Sequence, residues 1–268
     1  MAEKDQRLNE IPKLIHYCWF GGNELPDLAL KCIESWKKYC PDYEIIEWNE
    51  SNFDLGCSDF VNEAYKAKKW AFVSDYARLK VIYDNGGIYL DTDVELVKSL
   101  DSLLKEKCYF AEETTGYVAT GLGFGARKHD STVALLLDEY NGKHFINADG
   151  TYDMEQCPIK NTKPLLKLGY KFDGKDIWRC ENFVVFPPEY FCPLDFNTNK
   201  MHITDNTMSI HLYNASWLNF LDRFILKIEG STKHGITFKI RRLISFPLRV
   251  VNKLKKNGFS NTVKQILS

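Results

Sequence analysis

The chain has 268 residues, 44% of them hydrophobic and 14% aromatic, with a formal net charge of -1. That composition excludes a disordered or collagenous chain and predicts a packed globular body with one large core. The near-neutral total conceals an asymmetry: from Arg223 onward eleven Lys/Arg face a single acid, Glu229, which leaves -11 on residues 1–222. An acidic body with a basic tail predicts that the tail meets an anionic surface.

Eight cysteines are scattered without a C-x-x-C pair, as expected of reduced core thiols in a cytosolic protein. The charged start "MAEKDQRLNE" is unlike a signal peptide, and no apolar run approaches the roughly 20 residues needed to span a bilayer. A soluble or peripheral protein is the expectation.

In chain order, Leu14 to Phe20 reads as an apolar strand running into Gly21-Gly22. Many nucleotide-binding α/β proteins open this way, because glycine lets a ligand approach the backbone. Trp19 at the strand end is either a base-stacking ring or a core tryptophan. Asp27 to Tyr39 is an amphipathic helix between Pro26 and Pro41, Tyr43 to Trp48 a second strand, and Phe60 to Lys69 a further helix. Alternation of strand and helix predicts an α/β sandwich with a mainly parallel sheet.

The stretch "WAFVSDYARLKVIYDNGGIYLDTDVEL", residues 70–96, carries the chemistry. Ser74 to Asn85 is expected to be a helix capped by Ser74 and ended at Gly86-Gly87. Asp75 and Arg78, three apart, then share one helical face. Ile88 to Leu90 is a strand ending at Asp91-Thr92-Asp93. On extended backbone the two carboxylates would point the same way, about 7 Å apart, as hard ligands for a divalent cation.

Beyond it, Leu100 to Leu104 is a short helical turn, "CYFAEE" a strand, and the glycine-rich 120–125 a turn near the site with no phosphate-cradling helix behind it. Ser131 to Tyr140 is a helix. Thr151 to Leu168 begins with Asp153, Glu155 and Gln156, whose simplest role is to complement a helix dipole. Residues 183–196 read as an aromatic wrap too irregular for a helix. Met208 to Tyr213 is a strand leading to Ser216 and Trp217. From Phe224, bulky apolar residues interleave with Lys and Arg; this pattern suits two basic amphipathic helices on an anionic membrane and equally helices docked on the body. Nucleic acid fits less well, because the rest of the chain is acidic and has no recognition motif. The division expected is a catalytic body, 1–222, and a basic helical tail, 223–268.

Three chemistries could use Asp91-x-Asp93. An EF-hand calcium loop needs glycine and glutamate where Leu96 and Ser102 stand, and fails. A haloacid-dehalogenase-like phosphatase with Asp91 as nucleophile remains open, although Glu95 occupies its fifth position. A metal that holds a nucleotide diphosphate while a sugar departs is the third, with His211 as a candidate distant ligand. A non-catalytic nucleotide-sugar-binding module stays open beside them.

The segments "IHYCWFGG", "SWKKYCPDYEIIEWN", "AFVSDYARLKVIYDNGGIYLDTDV" and "HLYNASW" fall in the order and spacing of glycosyltransferase family 32, whose DXD sugar-binding enzymes include initiating mannosyltransferases and bacterial capsule transferases. The same stretch resembles the glucosylating domain of the large clostridial toxins. The resemblance covers about residues 11 to 217. It implies a single GT-A nucleotide-binding sandwich with a mainly parallel central sheet, and transfer with retention of anomeric configuration. It implies donor contacts from Trp19, Gly21, Gly22, Asp75, Arg78, Asp91, Ser216 and Trp217, with Ser216-Trp217 as a lid. Asp91, Asp93 and Arg78 would be catalytic, and Asp91, Asp93 and His211 would hold the metal. Asp153, Glu155 and Gln156 match no firm pattern and are carried as acceptor-side candidates. An oxygen-rich shell with one imidazole favours Mn²⁺, with Mg²⁺ as alternative. A UDP-hexose donor, a glycan or lipid-linked glycan acceptor, and a cytoplasmic location peripheral to the inner membrane face complete the expectation.

Overall fold

The computed structural model describes residues 10–195, 200–213 and 247–248. Two compact units divide the chain, Met1–Leu194 with Met201–Leu212, and Asp195–Lys200 with Tyr213–Ser268. The first holds every element below. The expected basic helices of the tail, with Ser216 and Trp217, lie outside the described residues, and so does any test of a boundary at 222.

The first unit opens with β1 (Leu14–Cys18), α1 (Asp27–Tyr39) and β2 (Glu44–Trp48). Then come α2 (Asp59–Lys66), α3 (Trp70–Asn85), β3 (Gly87–Tyr89) and β4 (Val94–Leu96). Next are β5 (Cys108–Ala111), β6 (Phe124–Ala126), α4 (Ser131–Asp138) and α5 (Cys157–Lys167). The series closes with β7 (Trp178–Arg179), β8 (Val184–Phe186), α6 (Pro188–Phe191) and β9 (Ser209–His211). Seven strands form one sheet in the order β2-β1-β3-β6-β5-β8-β7. The pairs β2/β1, β1/β3 and β5/β8 are parallel, while β6 and β7 run against their neighbours. The sheet is therefore mixed but largely parallel in direction, as the strand–helix alternation predicts.

Apolar periodicity builds the elements. In α1 the buried positions Ala29, Cys32, Ile33 and Trp36 fall at helical spacing on one face. The interior of α3 buries Val73, Ala77, Leu79, Val81 and Ile82, and this helix packs on β1, β3 and β6. It stops at Gly86, whose φ of +71° suits glycine and whose N–H returns to the Ile82 carbonyl. Gly87 follows at φ +105°, where a Cβ would lie 2.8 Å from the His16 ring. That close approach lets β3 lie against β1, in register Ile15↔Ile88. His16 itself is a core residue: Trp48 Nε1–H donates to its Nδ1 and its Nε2 reaches the Gly86 carbonyl, and burial lowers its pKa to about 4.

Five local expectations change. Helix α3 begins at Trp70, so Ser74 is inside it rather than a cap; the preceding helix ends early, at Lys66, with Lys68 at φ +55°. Residues 183–196 contain β8 and the short helix α6, because the Pro187-Pro188 pair starts a helical turn once its missing N–H groups fall in the first positions. The glycine-rich segment continues into β6, where the antiparallel partner β3 supplies the ladder. Asp91 to Val94 is a turn, as the site shows.

Candidate active site

The parallel strands β1 and β3 deliver Trp19 and Asp91 to the same edge of the sheet. The register Ile15↔Ile88 and His16↔Tyr89, with Leu90 N–H donating to the His16 carbonyl, brings both strands out at that edge, Trp19 just after Cys18 and Asp91 two residues after Tyr89. Ligands of open α/β sheets gather at this carboxyl edge. Trp19 is half-buried and its Nε1–H donates to the Asn23 carbonyl at 2.6 Å. The Gly21 N–H bonds Glu50 at 2.6 Å, and a Cβ on Gly21 would stand 2.7 Å from the Trp70 indole nitrogen. Gly21 is thus fixed by the Trp70 ring, whereas Gly22 (φ +67°) has open space around its Cα.

The carboxylate pair does not sit on extended backbone. Val94 N–H donates to the Asp91 carbonyl at 3.0 Å, closing a turn over Thr92-Asp93. Helix α1 anchors the exit: Trp36 Nε1–H donates to the Val94 carbonyl at 2.7 Å, and Leu96 N–H to Ser35 Oγ at 2.9 Å. Across from this exit lies β9, antiparallel to β4 with His211 opposite Val94, and Leu212 N–H donates to the Asp93 carbonyl. The ladder carries His211 to Asp93, Nε2 to Oδ1 at 3.2 Å. One ligand atom each from Asp91, Asp93 and His211 lies within 4.8 Å of the others. Two carboxylates and an imidazole in that space suit a divalent cation.

Arg78 stands behind the pair. Its Nη2 is 3.2 Å from Asp75 Oδ1 and 3.2 Å from Asp91 Oδ1, and its guanidinium lies over the Tyr89 ring at 5.1 Å. Tyr89 O–H donates to Asp91 at 2.9 Å. Burial raises the Asp75 carboxyl to about 6 against the pull of Arg78. Burial likewise raises Asp91; Arg78 opposes this and Asp93 adds to it. At His211, burial disfavours the cation, but Asp93, Asp91 and Glu113 together outweigh it and hold the ring above its ordinary value. Four acids (Asp75, Asp91, Asp93, Glu113) share this locality with the Arg78 guanidinium and, acting on Asp75, the Lys160 ammonium, so the acids outnumber the cations and the site's field favours added positive charge.

Sequence reasoning missed several of these contacts. Tyr89 and Glu113 carried no motif. Gly121 was placed near the site, but its contact was not legible: its carbonyl accepts the Asp91 N–H at 3.2 Å, and a Cβ there would stand 2.2 Å from Asp91 Oδ2. Asp153 is 2.5 Å from the buried Lys160 ammonium and Glu155 is 2.6 Å from Lys163, so both are engaged in ion pairs, and Gln156 precedes α5 as its cap residue without a side-chain bond. None of the eight cysteines forms a disulfide; six are buried, while Cys57 is half-buried and Cys180 exposed.

Residues 26–110 match the family model described as "Glycosyltransferase sugar-binding region containing DXD motif", a span that includes α1, α3 and Asp91–Asp93. Among curated proteins, inositol phosphoceramide mannosyltransferase 3 of Schizosaccharomyces pombe is 30% identical over 102 residues, 35% of this chain and 27% of that protein. Inositol phosphoceramide mannosyltransferase 1 of the same yeast is 27% identical over 152 residues, 52% of this chain and 46% of its own length. The matches therefore span less than half of these relatives. A solved structure named PaToxG glycosyltransferase is 19% identical, covering 62% of this chain and 76% of its own, at a TM-score of 0.46. Residues 26–110, with the Asp91–Asp93 pair, thus carry the DXD-containing sugar-binding region of glycosyltransferases.

Proposed function

We propose that this chain is a metal-dependent, retaining transferase that moves a hexose from a nucleotide sugar to a glycan or lipid-linked glycan acceptor in surface-polysaccharide synthesis. The observation that supports it most is the convergence of Asp91, Asp93 and His211 beside a buried arginine shared by Asp75 and Asp91. When bound, a divalent ion would neutralise charge on a departing diphosphate as a Lewis acid; Asp91, Asp93 and His211 would hold it, with Mn²⁺ favoured over Mg²⁺.

The remaining work falls to the chain itself. Arg78 cannot lose its charge, and two carboxylates fix its direction, so its field is in place before the leaving group gathers negative charge. Asp75 and Asp91 are candidates to orient ribose or sugar hydroxyls. Trp19, with Gly21 and Gly22 behind it, would stack on the base. Ser216 and Trp217 would close over the diphosphate and keep water from the donor. A front-face attack by the acceptor hydroxyl, assisted by the leaving phosphate, needs no protein nucleophile.

A phosphatase would need Asp91 free to attack phosphorus. Asp91 is instead held by Arg78 and Tyr89, which favours transfer. UDP-hexose is the donor to try first, and the basic tail is read as contact with the inner membrane face in the cytoplasm. Among the described residues no helix is long and apolar enough to cross a membrane.

Calorimetry of UDP and GDP with and without Mn²⁺, followed by a donor-hydrolysis screen, tests the reading. Metal-dependent nucleotide binding with donor hydrolysis supports it. Binding without turnover would leave a binding module, and release of phosphate from an aryl phosphate would make the chain a phosphatase.

A further inference from the structure

Helix α5 lies apart from the DXD segment in sequence, yet it grips the loop on which Asp91 rests. Residues 118–122 form the second half of the connection from β5 to β6 and fold back on β5, with Ala119 N–H donating to the Ala111 carbonyl at 3.0 Å. Two consecutive residues of α5 hold that loop. Asn161 Nδ2–H donates to Thr120 Oγ1 at 2.9 Å. Thr162 Oγ1 accepts the Val118 N–H at 2.8 Å while its own hydroxyl hydrogen goes to the Pro158 carbonyl at 2.7 Å. Both side chains are buried, Asn161 at 1% exposure and Thr162 at 4%.

The loop then meets Asp91 directly. The Gly121 carbonyl takes the Asp91 N–H, and its Cα is so close to the carboxylate that no side chain fits. The path from α5 to the site has three short steps: Asn161 to Thr120, along one peptide to Gly121, and from Gly121 to Asp91. A second path leaves the same helix one turn earlier, where Cys157 Sγ lies 3.4 Å from Thr120 Oγ1 and 3.9 Å from Arg78 Nη1.

Asn161 also keeps its side-chain oxygen buried without a hydrogen-bond partner. Such an orphan costs about 1–3 kcal/mol, so an apolar residue of similar size would fit a purely packing role better. The contacts that offset this cost are the Nδ2–H bonds to Thr120 Oγ1 and, at 3.0 Å, to Cys157 Sγ on the same helix, and of these only the Thr120 bond reaches the loop.

We infer that Asn161 and Thr162 are positioning residues for the DXD segment, acting through Thr120 and Gly121 on Asp91. Neither reaches the reacting atoms. The inference deepens the glycosyltransferase reading but tests apart from it, because backbone opening can be followed without substrate.

Hydrogen-exchange mass spectrometry on the intact chain is the deciding measurement. In Asn161→Ala, peptides covering 118–122 and 89–93 should exchange about 5-fold faster on losing the bond that ties Thr120 to α5, while peptides of β1 and β2 keep the wild-type rate. Thr120→Val removes the same bond from the other side and should reproduce the effect, whereas Thr120→Ser, which keeps the hydroxyl, should restore the wild-type pattern. Thr162→Val should open 118–122 independently, which keeps the test alive if Asn161→Ala folds poorly. In donor hydrolysis, kcat of Asn161→Ala and Thr120→Val should fall about 10- to 100-fold with the donor KM little changed, and the double variant should be no worse than either single one. Wild-type exchange at 89–93 in both Asn161→Ala and Thr120→Val overturns the inference. A wild-type protein that hydrolyses no donor would sink the proposed function instead, and leave the exchange result to decide this one.

Discussion

Arg78 Nη2 lies 3.2 Å from Asp75 Oδ1 and 3.2 Å from Asp91 Oδ1, so one buried cation serves a carboxylate on its own helix and another beyond the next strand. The guanidinium is 7% exposed and the two acids 14% and 27%. Its removal would leave two carboxylates without the guanidinium they share in a poorly solvated place. Arg78→Met should cost about 3–5 kcal/mol, as breaking a buried ion pair does, read as a lower midpoint in urea. Adding Asp75→Asn should recover part of it. An Arg78→Met protein as stable as wild type would show that the triad contributes nothing to the fold.

The second prediction concerns the ligands. Asp93→Ala should abolish turnover without unfolding the chain, because Asp93 lies in a turn anchored by backbone and by Trp36. A Lewis acid supplies several kcal/mol, so the loss should reach about 1,000-fold. His211→Ala should weaken Mn²⁺ binding in calorimetry. Donor hydrolysis by Asp93→Ala at the normal rate would refute the assignment.

Gly121 offers a steric probe. Gly121→Ala places a methyl 2.2 Å from Asp91 Oδ2, and the carboxylate or the 120–122 turn has to move. A displacement near 1 Å at a reacting group costs about 100-fold in rate. Circular dichroism should stay native while kcat drops by that order.

Glu112 gives a pH signature remote from the DXD. It is 1% exposed, accepts a hydrogen bond from Tyr170 O–H, and burial pushes its carboxyl up to about 7. The native state therefore holds this proton more tightly than the unfolded chain. Its contribution to stability is full below pH 4.5 and is lost as pH rises toward 7. Glu112→Gln keeps an acceptor for Tyr170 without the titration, so it should be more stable than wild type above pH 7 and lose that advantage near pH 4.5. Parallel stability–pH curves for the two proteins would contradict this.

The basic tail yields the last prediction, which rests on sequence alone. Truncation after Asp222 removes a net charge of +10 and should lower sedimentation with anionic liposomes at low salt. Equal binding before and after truncation would place the membrane contact elsewhere or nowhere.

Much of this molecule was legible before any coordinates. Periodicity located α1 to the residue and α2, α3 and α4 within a few residues, whereas α5 starts only at Cys157, past the acids expected in its first turn; Gly86 marked the end of α3 because its positive φ is a local requirement. The pairing of Asp75 with Arg78 followed from a three-residue spacing on one helix. Local rules reach that far and then mislead. Asp91-Thr92-Asp93 looked extended, yet it turns, because Val94 is claimed by Trp36 of α1 and by the ladder to β9.

What the sequence by itself determined is the inventory: a strand-end acid pair, an acid and an arginine one turn apart, a glycine stop and a distant histidine. Tertiary structure decided which of these meet. His211 reaches Asp93 through an antiparallel pairing across more than a hundred residues, Gly121 touches Asp91 through a loop with no motif, and Arg78 acquires its second carboxylate through the packing of α3 on β3. The reason is physical: spacing along one element fixes contacts within it, whereas contacts between elements depend on sheet order and register, which burial of the whole core selects.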